Sequence, residues 1–297
     1  MKHSKIAKRG HKAYIYILPW LIGLVVLQLY PFIASLLYSF TNYNAFGKMN
    51  FIGFDNYVRL FTKDKEFYKS LGVTIKYTLL TVPGKIILSL AIAVMLNKTR
   101  KGIGVLRTIF YLPSLFGGSI AVALLWKLLF MDNGLMNSLL HIFKLGPVSW
   151  LGDPKVALTT LSSLEIWQFG SSMVMFLAAL KQVPQSLYEA AGIDGANKVQ
   201  SFFKVTFPQI TPILFFTIIM QTINALQNFT SAFVITKGGP VKSTYMLGLK
   251  LYNDGFAYYK MGYASASSWV IFILILAVTL VLFGTQRFWV FYEDDVK

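Results

Sequence analysis

Apolar residues run in long stretches along this chain, and polar connectors between them hold most of the charge. A helix needs roughly 20 consecutive apolar residues to cross the hydrocarbon of a bilayer. About six stretches reach that length: 14–40, 71–96, 106–130, 156–180, 210–236 and 264–291. Backbone N–H and C=O groups have no water partners in lipid, so each run is expected as helix. The pattern predicts an all-α integral membrane protein, one transmembrane domain over residues 1–297. Pro19 and Pro31 interrupt the first run. The connectors at 41–70, 131–155 and 237–263 carry turn signals such as Asn133-Gly134, Gly146-Pro147, Asp153-Pro154 and Gly239-Pro240, which predict structured loops.

Composition agrees. Hydrophobic residues make up 55% of the 297 positions and charged residues 13%, with a mean hydropathy of +0.57. A soluble domain carries about 25% charge. There are no cysteines, so disulfides, Cys-ligated metals and thiol nucleophiles are excluded. The net charge of +16 does not make a nucleic-acid protein of it. The basic residues flank apolar runs and form no single stripe, as a nucleic-acid footprint would require.

Their placement sets an expected orientation through the positive-inside rule. The N-terminal tail holds Lys2, Lys5, Lys8, Arg9 and Lys12, and the short loop after the second run holds Lys98, Arg100, Lys101 and Arg107. Both are expected in the cytoplasm, and with them both termini and the loop 181–209. The first outer loop runs against the trend with Lys48, Arg59, Lys63, Lys65 and Lys69, offset by Asp55, Asp64 and Glu66. Short segments weigh most in this rule. The first run is too long for a signal peptide and lacks a small-residue cleavage pattern, so it is read as an uncleaved span.

The loop between the fourth and fifth runs is the most informative segment. Ser186 and Glu189 have capping-box spacing, which predicts a short helix from about Leu187. Asp194-Gly195 is expected to end it. A second amphipathic piece follows, Lys198 to Phe207, with Phe202, Phe203 and Phe207. Pro208 and Pro212 are expected to reset the chain before the fifth span. Physics leaves two readings open: a hairpin that only connects two spans, or a surface whose small residues let another protein dock closely.

Polar residues inside the runs are the other candidates. Gln221, Asn224, Asn228 and Ser231 are spaced to share one stripe of a continuous helix. The fourth run offers Trp167, Gln168, Phe169, Ser171 and Ser172. Amides in a membrane helix face the bundle interior or water. They either join helices to one another or line a polar path. Lys76 and Lys127 lie near span ends, where they can snorkel to the interface. Lys85 is more central and is expected to pair or to face a wet cavity, and Glu165 is expected to pair near the outer end of its span.

The loop carries a resemblance. Glu189-Ala190-Ala191, then Asp194-Gly195-Ala196 and Phe207-Pro208, resembles the EAA loop of binding-protein-dependent ABC importer permeases. Tyr30-Pro31, Ser39-Phe40-Thr41, the segment Phe51 to Tyr57, Arg107 to Pro113, Trp150 to Gly152, Thr236 to Pro240 and Tyr263 to Ala266 extend it over nearly the whole chain. Together they resemble the carbohydrate branch, and within it the MalF-like subunit of the maltose importer family without that subunit's extra domain. Phe207 departs from the usual Leu before the Pro.

The resemblance implies a permease subunit in a bacterial cell membrane, one half of a path for a sugar or oligosaccharide. It implies a second homologous permease, two ABC ATPase subunits that hold ATP and Mg, and an extracytoplasmic solute-binding protein. Glu189, Ala190, Ala191, Asp194, Gly195 and Ala196 would form the coupling helix that docks on an ATPase. In the maltose importer, sugar contacts fall on the corresponding parts of the fourth and fifth spans, which implies Gln168, Phe169, Ser172, Gln221, Asn224 and Asn228 as the sugar contacts here, with polar identities that differ from that relative. No cofactor, metal or catalytic residue is expected on this chain, which has no Walker A motif.

Rival classes fit less well. A proton-coupled carrier needs titratable relays deep in the bundle. His3, His11 and His141 lie outside the runs, and the fifth and sixth runs hold no Asp or Glu before Glu293. No HExxH, GxSxG or carboxylate cluster supports a membrane enzyme, and Asp294-Asp295 reads as a solvated tail. A sugar-like polyol or glycerol phosphate remains the alternative substrate.

Overall fold

The computed structural model describes residues 16–47, 49–98 and 102–291. The tail residues from Lys2 to Lys12, Lys48, Arg100, Lys101 and the stretch Glu293 to Asp295 lie outside the described residues. Within the described residues the chain is helical, and its one β-bridge joins Thr41 to Phe51. Four helices are long and apolar enough to span a membrane, and two bent helix pairs bring the number to six if each pair is taken as one span. The chain divides into two compact units, residues 1–64 with 251–273 and residues 65–250 with 274–297.

In the first unit, helix α1 covers Tyr16–Ser39 and includes a π-helical turn at Leu24–Leu29. The turn ends just before Pro31. Proline lacks an N–H and crowds the carbonyl four residues back, and a wider turn gives that carbonyl room. Helix α2, Asp55–Thr62, follows a short loop. The Asn56 amide donates to the carbonyls of Ser39 and Thr41, both at 2.8 Å, and so ties α2 to the end of α1. The last helix, α12 (Met261–Phe288), starts in this unit. Its Gly262 N–H donates to Tyr43 O at 2.8 Å, and a Cβ at Gly262 would lie 2.1 Å from Thr41 O. The Trp269 indole N–H donates to the Ser35 hydroxyl at 3.2 Å, and its ring meets Phe32.

In the second unit, helix α3 (Lys65–Leu96) is the hub. Helices α4 (Ile103–Leu115), α5 (Ile120–Leu129) and α6 (Leu135–Ile142) follow. Next come α7 (Ala157–Trp167), α8 (Gly170–Gln182) and α9 (Gln185–Ile193). The unit continues with α10 (Lys198–Leu226) and the start of α11 (Leu247–Tyr252). Helices α7, α8 and α10 pack on α3 around buried Tyr77, Leu161, Met173, Phe176 and Ile210. The Arg107 guanidinium donates to Leu96 O at 2.8 Å, which satisfies a carbonyl left open at the end of α3.

Three spans differ from the sequence expectation. The run 106–130 is not one helix: α4 and α5 meet at a bend of 101°. Gly118 has φ +71°, a conformation that glycine adopts without steric penalty. The run 156–180 is split into α7 and α8 with a bend of 46°. The fifth span begins earlier than expected and ends earlier too. Pro208 and Pro212 do not reset the chain, because α10 is continuous for 29 residues from Lys198. A π-turn at Phe202–Thr206, closed by Phe207 N–H on Phe202 O, again precedes the proline. The helix stops at Leu226, and a separate π-helical turn at Ala232–Thr236 follows.

Candidate functional site

Three of these breaks meet. The linker Gly118-Ser119, the α7 end with Glu165 and Gln168, and the segment Gln227 to Ser231 line one cavity of about 180 Å³ in the second unit. A broken helix frees backbone polar groups, and at membrane depth these need partners or a water-filled space. One is satisfied across helices: the Ser89 hydroxyl of α3 donates to Phe169 O at 3.2 Å. Gly170 lets the break sit tightly, since a Cβ there would lie 2.5 Å from Phe110 O.

The sequence-selected polar residues divide into two groups. Gln221 donates through Nε2 to the Ser172 hydroxyl at 3.1 Å, joining α10 to α8. Asn228 donates to the Tyr77 hydroxyl at 3.1 Å and accepts from the Ser231 hydroxyl at 2.6 Å. Ser172 and Tyr77 are buried. These amides therefore join helices. Asn224 is exposed. The expected stripe of four does not exist as one helical face, because α10 ends at Leu226 and leaves Asn228 and Ser231 beyond it. Gln168 is different. Its side chain lines the cavity, is only 5% exposed, and has no hydrogen-bond partner among the described residues. Phe169 is buried beside it and rests on Phe110.

Lys85 pairs with Glu165 at 3.4 Å, with side chains 9% and 24% exposed. The pair bridges α3 and α7 next to Gly84, which lets Ile166 approach closely. Sequence reasoning expected Lys85 to pair or to face a wet cavity and Glu165 to pair, and it named no partner within this chain for either. The Gly117-Gly118 pair inside an apolar run was the signal that this region breaks.

The second candidate region is α9 with the start of α10. The capping box expected at Ser186 and Glu189 is absent. Pro184, in extended conformation, is the N-cap, and the helix starts at Gln185. This puts Ser186 inside the first turn, where it cannot cap. A capping box forms instead at the next helix: Asn197 accepts from Val199 N–H and Gln200 N–H, while Gln200 accepts from Asn197 N–H. The end of α9 is a complete Schellman motif. Ala196 N–H donates to Ala191 O at 2.9 Å and Gly195 N–H to Gly192 O at 3.1 Å, with Gly195 at φ +77°. The Tyr188 and Thr206 hydroxyls bond at 2.9 Å and pin α9 to the π-turn of α10. Glu189, Ala190, Asp194 and Gly195 are exposed, while Ala191 and Ala196 are partly covered. Ala190, Ala191, Asp194, Gly195 and Ala196 line a groove with Leu187 and Lys204.

Residues 67–290 match the family described as the binding-protein-dependent transport system inner membrane component. The chain belongs to this family. It is 46% identical over 298 residues to the probable ABC transporter permease protein YesP of Bacillus subtilis, covering 99% of this chain and 96% of the relative. It is 35% identical to the trehalose/maltose transport system permease protein MalF of Thermococcus litoralis, covering 96% and 97% of the two chains. Among solved structures, a bacterial ABC transporter for import of the acidic polysaccharide alginate contains a chain of the same fold. It has a TM-score of 0.82 and 24% identity, and the match covers 97% of this permease and 99% of that chain. Membership makes this chain an inner membrane component that works with an ATPase and a binding protein.

Proposed function

We propose that this chain is one of two permease subunits through which a sugar or oligosaccharide, delivered by an extracytoplasmic binding protein, is imported at the expense of ATP hydrolysed on partner subunits. The observation that carries the reading is the polar cavity at three helix breaks, within a fold shared with oligosaccharide importers. Discontinuous helices that meet at a polar site are a recurring way to bind solute in a membrane. The name of the Thermococcus relative supports a sugar as the solute.

In this reading both termini and α9 face the cytoplasm. The exposed Glu189 and the flat Ala190, Ala191 and Gly195 surface dock on an ATPase subunit. The second permease completes the path, and ATP and Mg stay on the ATPases. Nucleotide biases the two states of the path only if the docked ATPase contacts them differently. The glycerol phosphate alternative is not favoured, because no Lys, Arg or His lines the cavity to meet a phosphate.

The test is uptake of radiolabelled sugars by the reconstituted importer, wild type against Glu189→Arg. The expected result is normal insertion and assembly with ATP hydrolysis no longer coupled to uptake. Full uptake by the variant overturns the docking assignment, and no sugar uptake by the wild type overturns the sugar reading.

A further inference from the structure

We infer that the first three turns of α3 carry a groove for an anionic phospholipid, whose phosphate meets Lys76, Lys155 and Ser243 and whose acyl chain lies on Leu79 and Leu80. The groove, of about 940 Å³, lies wholly within the second unit. It shares no lining residue with the cavity at the helix breaks, so it stands whatever solute is carried. On α3, Lys69, Val73, Lys76 and Leu80 recur at spacings of 4, 3 and 4, which makes one stripe of the helix. Lys155 and Leu158 come from the start of α7, and Lys242 and Ser243 from the turn ahead of α11. In the orientation proposed above, the groove opens on the outer leaflet.

Four lysines line it and no carboxylate does. Glu66, outside the lining, pairs with Lys242, and Lys69 donates to Val241 O at 2.9 Å. Among the described residues the ammonium groups of Lys76 and Lys155 have no ion-pair or hydrogen-bond partner. The Ser243 hydroxyl is buried in the same lining and also has none. A buried hydroxyl without a partner is costly and calls for water or a ligand to complete it. Phosphate oxygens accept from this hydroxyl and from both ammonium groups. The turn that presents Ser243 is strained, with Val241 at φ +49° and Lys242 at φ +58°, a region that a β-branched residue rarely enters. Such strain persists only where surrounding contacts impose it, and here Lys69 and Glu66 supply them.

The other end of the groove is apolar. Leu79 and Leu80 are 67% and 43% exposed, and Leu80 lies about 16 Å along the helix from Lys69. A soluble anion would use the lysines and leave this strip bare, and a soluble protein does not reach into hydrocarbon. A phospholipid carries charge and chain in the same order as the groove. Lys69, one of the lysines that run against the positive-inside trend, thereby gains a local anionic partner.

The test is native mass spectrometry of the complete importer in detergent, titrated with phosphatidylglycerol or with phosphatidylcholine. The wild type is expected to bind phosphatidylglycerol in preference. Lys76→Gln with Lys155→Gln removes two side chains that bond nothing in the chain, so this variant is expected to assemble as the wild type does. It should bind phosphatidylglycerol roughly thirtyfold more weakly, about 2 kcal/mol for two lysines at an anionic lipid, with phosphatidylcholine unchanged. Lys76→Arg with Lys155→Arg should keep the preference, and Ser243→Ala should weaken it roughly threefold to tenfold. Equal binding of the two lipids by the wild type, or wild-type binding of phosphatidylglycerol by the glutamine pair, overturns the site. Displacement of the lipid by an equal concentration of glycerol phosphate makes it a site for a soluble anion and overturns the lipid. Displacement by the extracytoplasmic binding protein makes it a protein dock and overturns the lipid as well.

Discussion

Helix α9 holds Gly192 in its last turn and is closed just past its end by Gly195, and these two glycines are predicted to respond to alanine with opposite sign. Gly192 lies inside the helix with open space where a Cβ would point. Alanine is favoured over glycine by about 0.8–1.0 kcal/mol in a helix interior, so Gly192→Ala is expected to strengthen α9 by nearly that amount. Gly195 also has open space but sits at φ +77°. There a Cβ crowds the following carbonyl and costs roughly 1–2 kcal/mol. The two bonds of the Schellman motif, from Ala196 N–H and Gly195 N–H, depend on that conformation. The two variants should thus differ by roughly 2–3 kcal/mol, a separation of about thirty- to a hundred-and-fifty-fold in the local opening equilibrium. Hydrogen exchange followed by mass spectrometry on peptides spanning 185–206 reads this directly. Protection in α9 is expected to rise in Gly192→Ala and fall in Gly195→Ala, while peptides from α3 stay unchanged. If both variants move the same way, or neither moves, the Schellman closure does not hold this helix. Sugar uptake in the same preparations should fall only in Gly195→Ala.

Three further outcomes follow from contacts elsewhere. Gly262→Ala would place a Cβ 2.1 Å from Thr41 O, the carbonyl that also accepts the Asn56 amide. Overpacking together with a strained buried hydrogen bond should cost about 2–4 kcal/mol, seen as a lower melting temperature, while Gly72→Ala, which meets open space, should not lower it. Gln221→Leu leaves the buried Ser172 hydroxyl without that partner and should cost about 1–3 kcal/mol in the same melt, whereas Asn224→Leu, at an exposed position, should stay within about 0.5 kcal/mol. Lys85→Met alone strands the Glu165 carboxylate and should cost about 3 kcal/mol, the low end for a buried pair because the carboxylate is partly open, and adding Glu165→Gln should recover most of it.

The spans were legible because lipid forces one answer on a long apolar run. Their interruptions were not. A Gly-Gly-Ser sequence inside 106–130 breaks its helix by 101°, yet Pro83 inside α3 and Pro212 inside α10 break nothing. Proline is tolerated where neighbouring helices or a widened turn re-satisfy the freed backbone, and one sequence does not reveal those neighbours. The amide stripe failed for the same reason: spacing is informative only while the helix continues, and α10 stops before Asn228. The capping box failed by two residues because Pro184 fixed the helix start ahead of Ser186, while the same logic holds at Asn197 and Gln200. The Lys85–Glu165 pair is separated by 80 positions, and local pattern carries nothing over that distance.

The continuity of α10 links the two candidate regions. Its first turn carries the Asn197–Gln200 cap beside α9, and its last residue, Leu226, adjoins the cavity-lining segment Gln227 to Ser231. At 1.5 Å per residue, 29 residues make a rod of about 43 Å. A chain reset at Pro208 would have placed a flexible joint between loop and cavity. Instead the π-turn keeps the hydrogen bonding going past the proline, and Tyr188 on Thr206 clamps α9 to that turn. In the proposed cycle, a pull on α9 therefore reaches α10 at its base and carries along it to Leu226, next to the segment in which Asn228 bonds Tyr77. Two covalently continuous ends of one helix need no relay of side chains between them. In that proposed cycle the π-turn, and not the apolar length of the span, is the feature on which coupling would depend. Replacing Tyr188 with Phe should loosen the clamp and lower uptake per ATP hydrolysed, while sugar affinity at the cavity stays at the wild-type value.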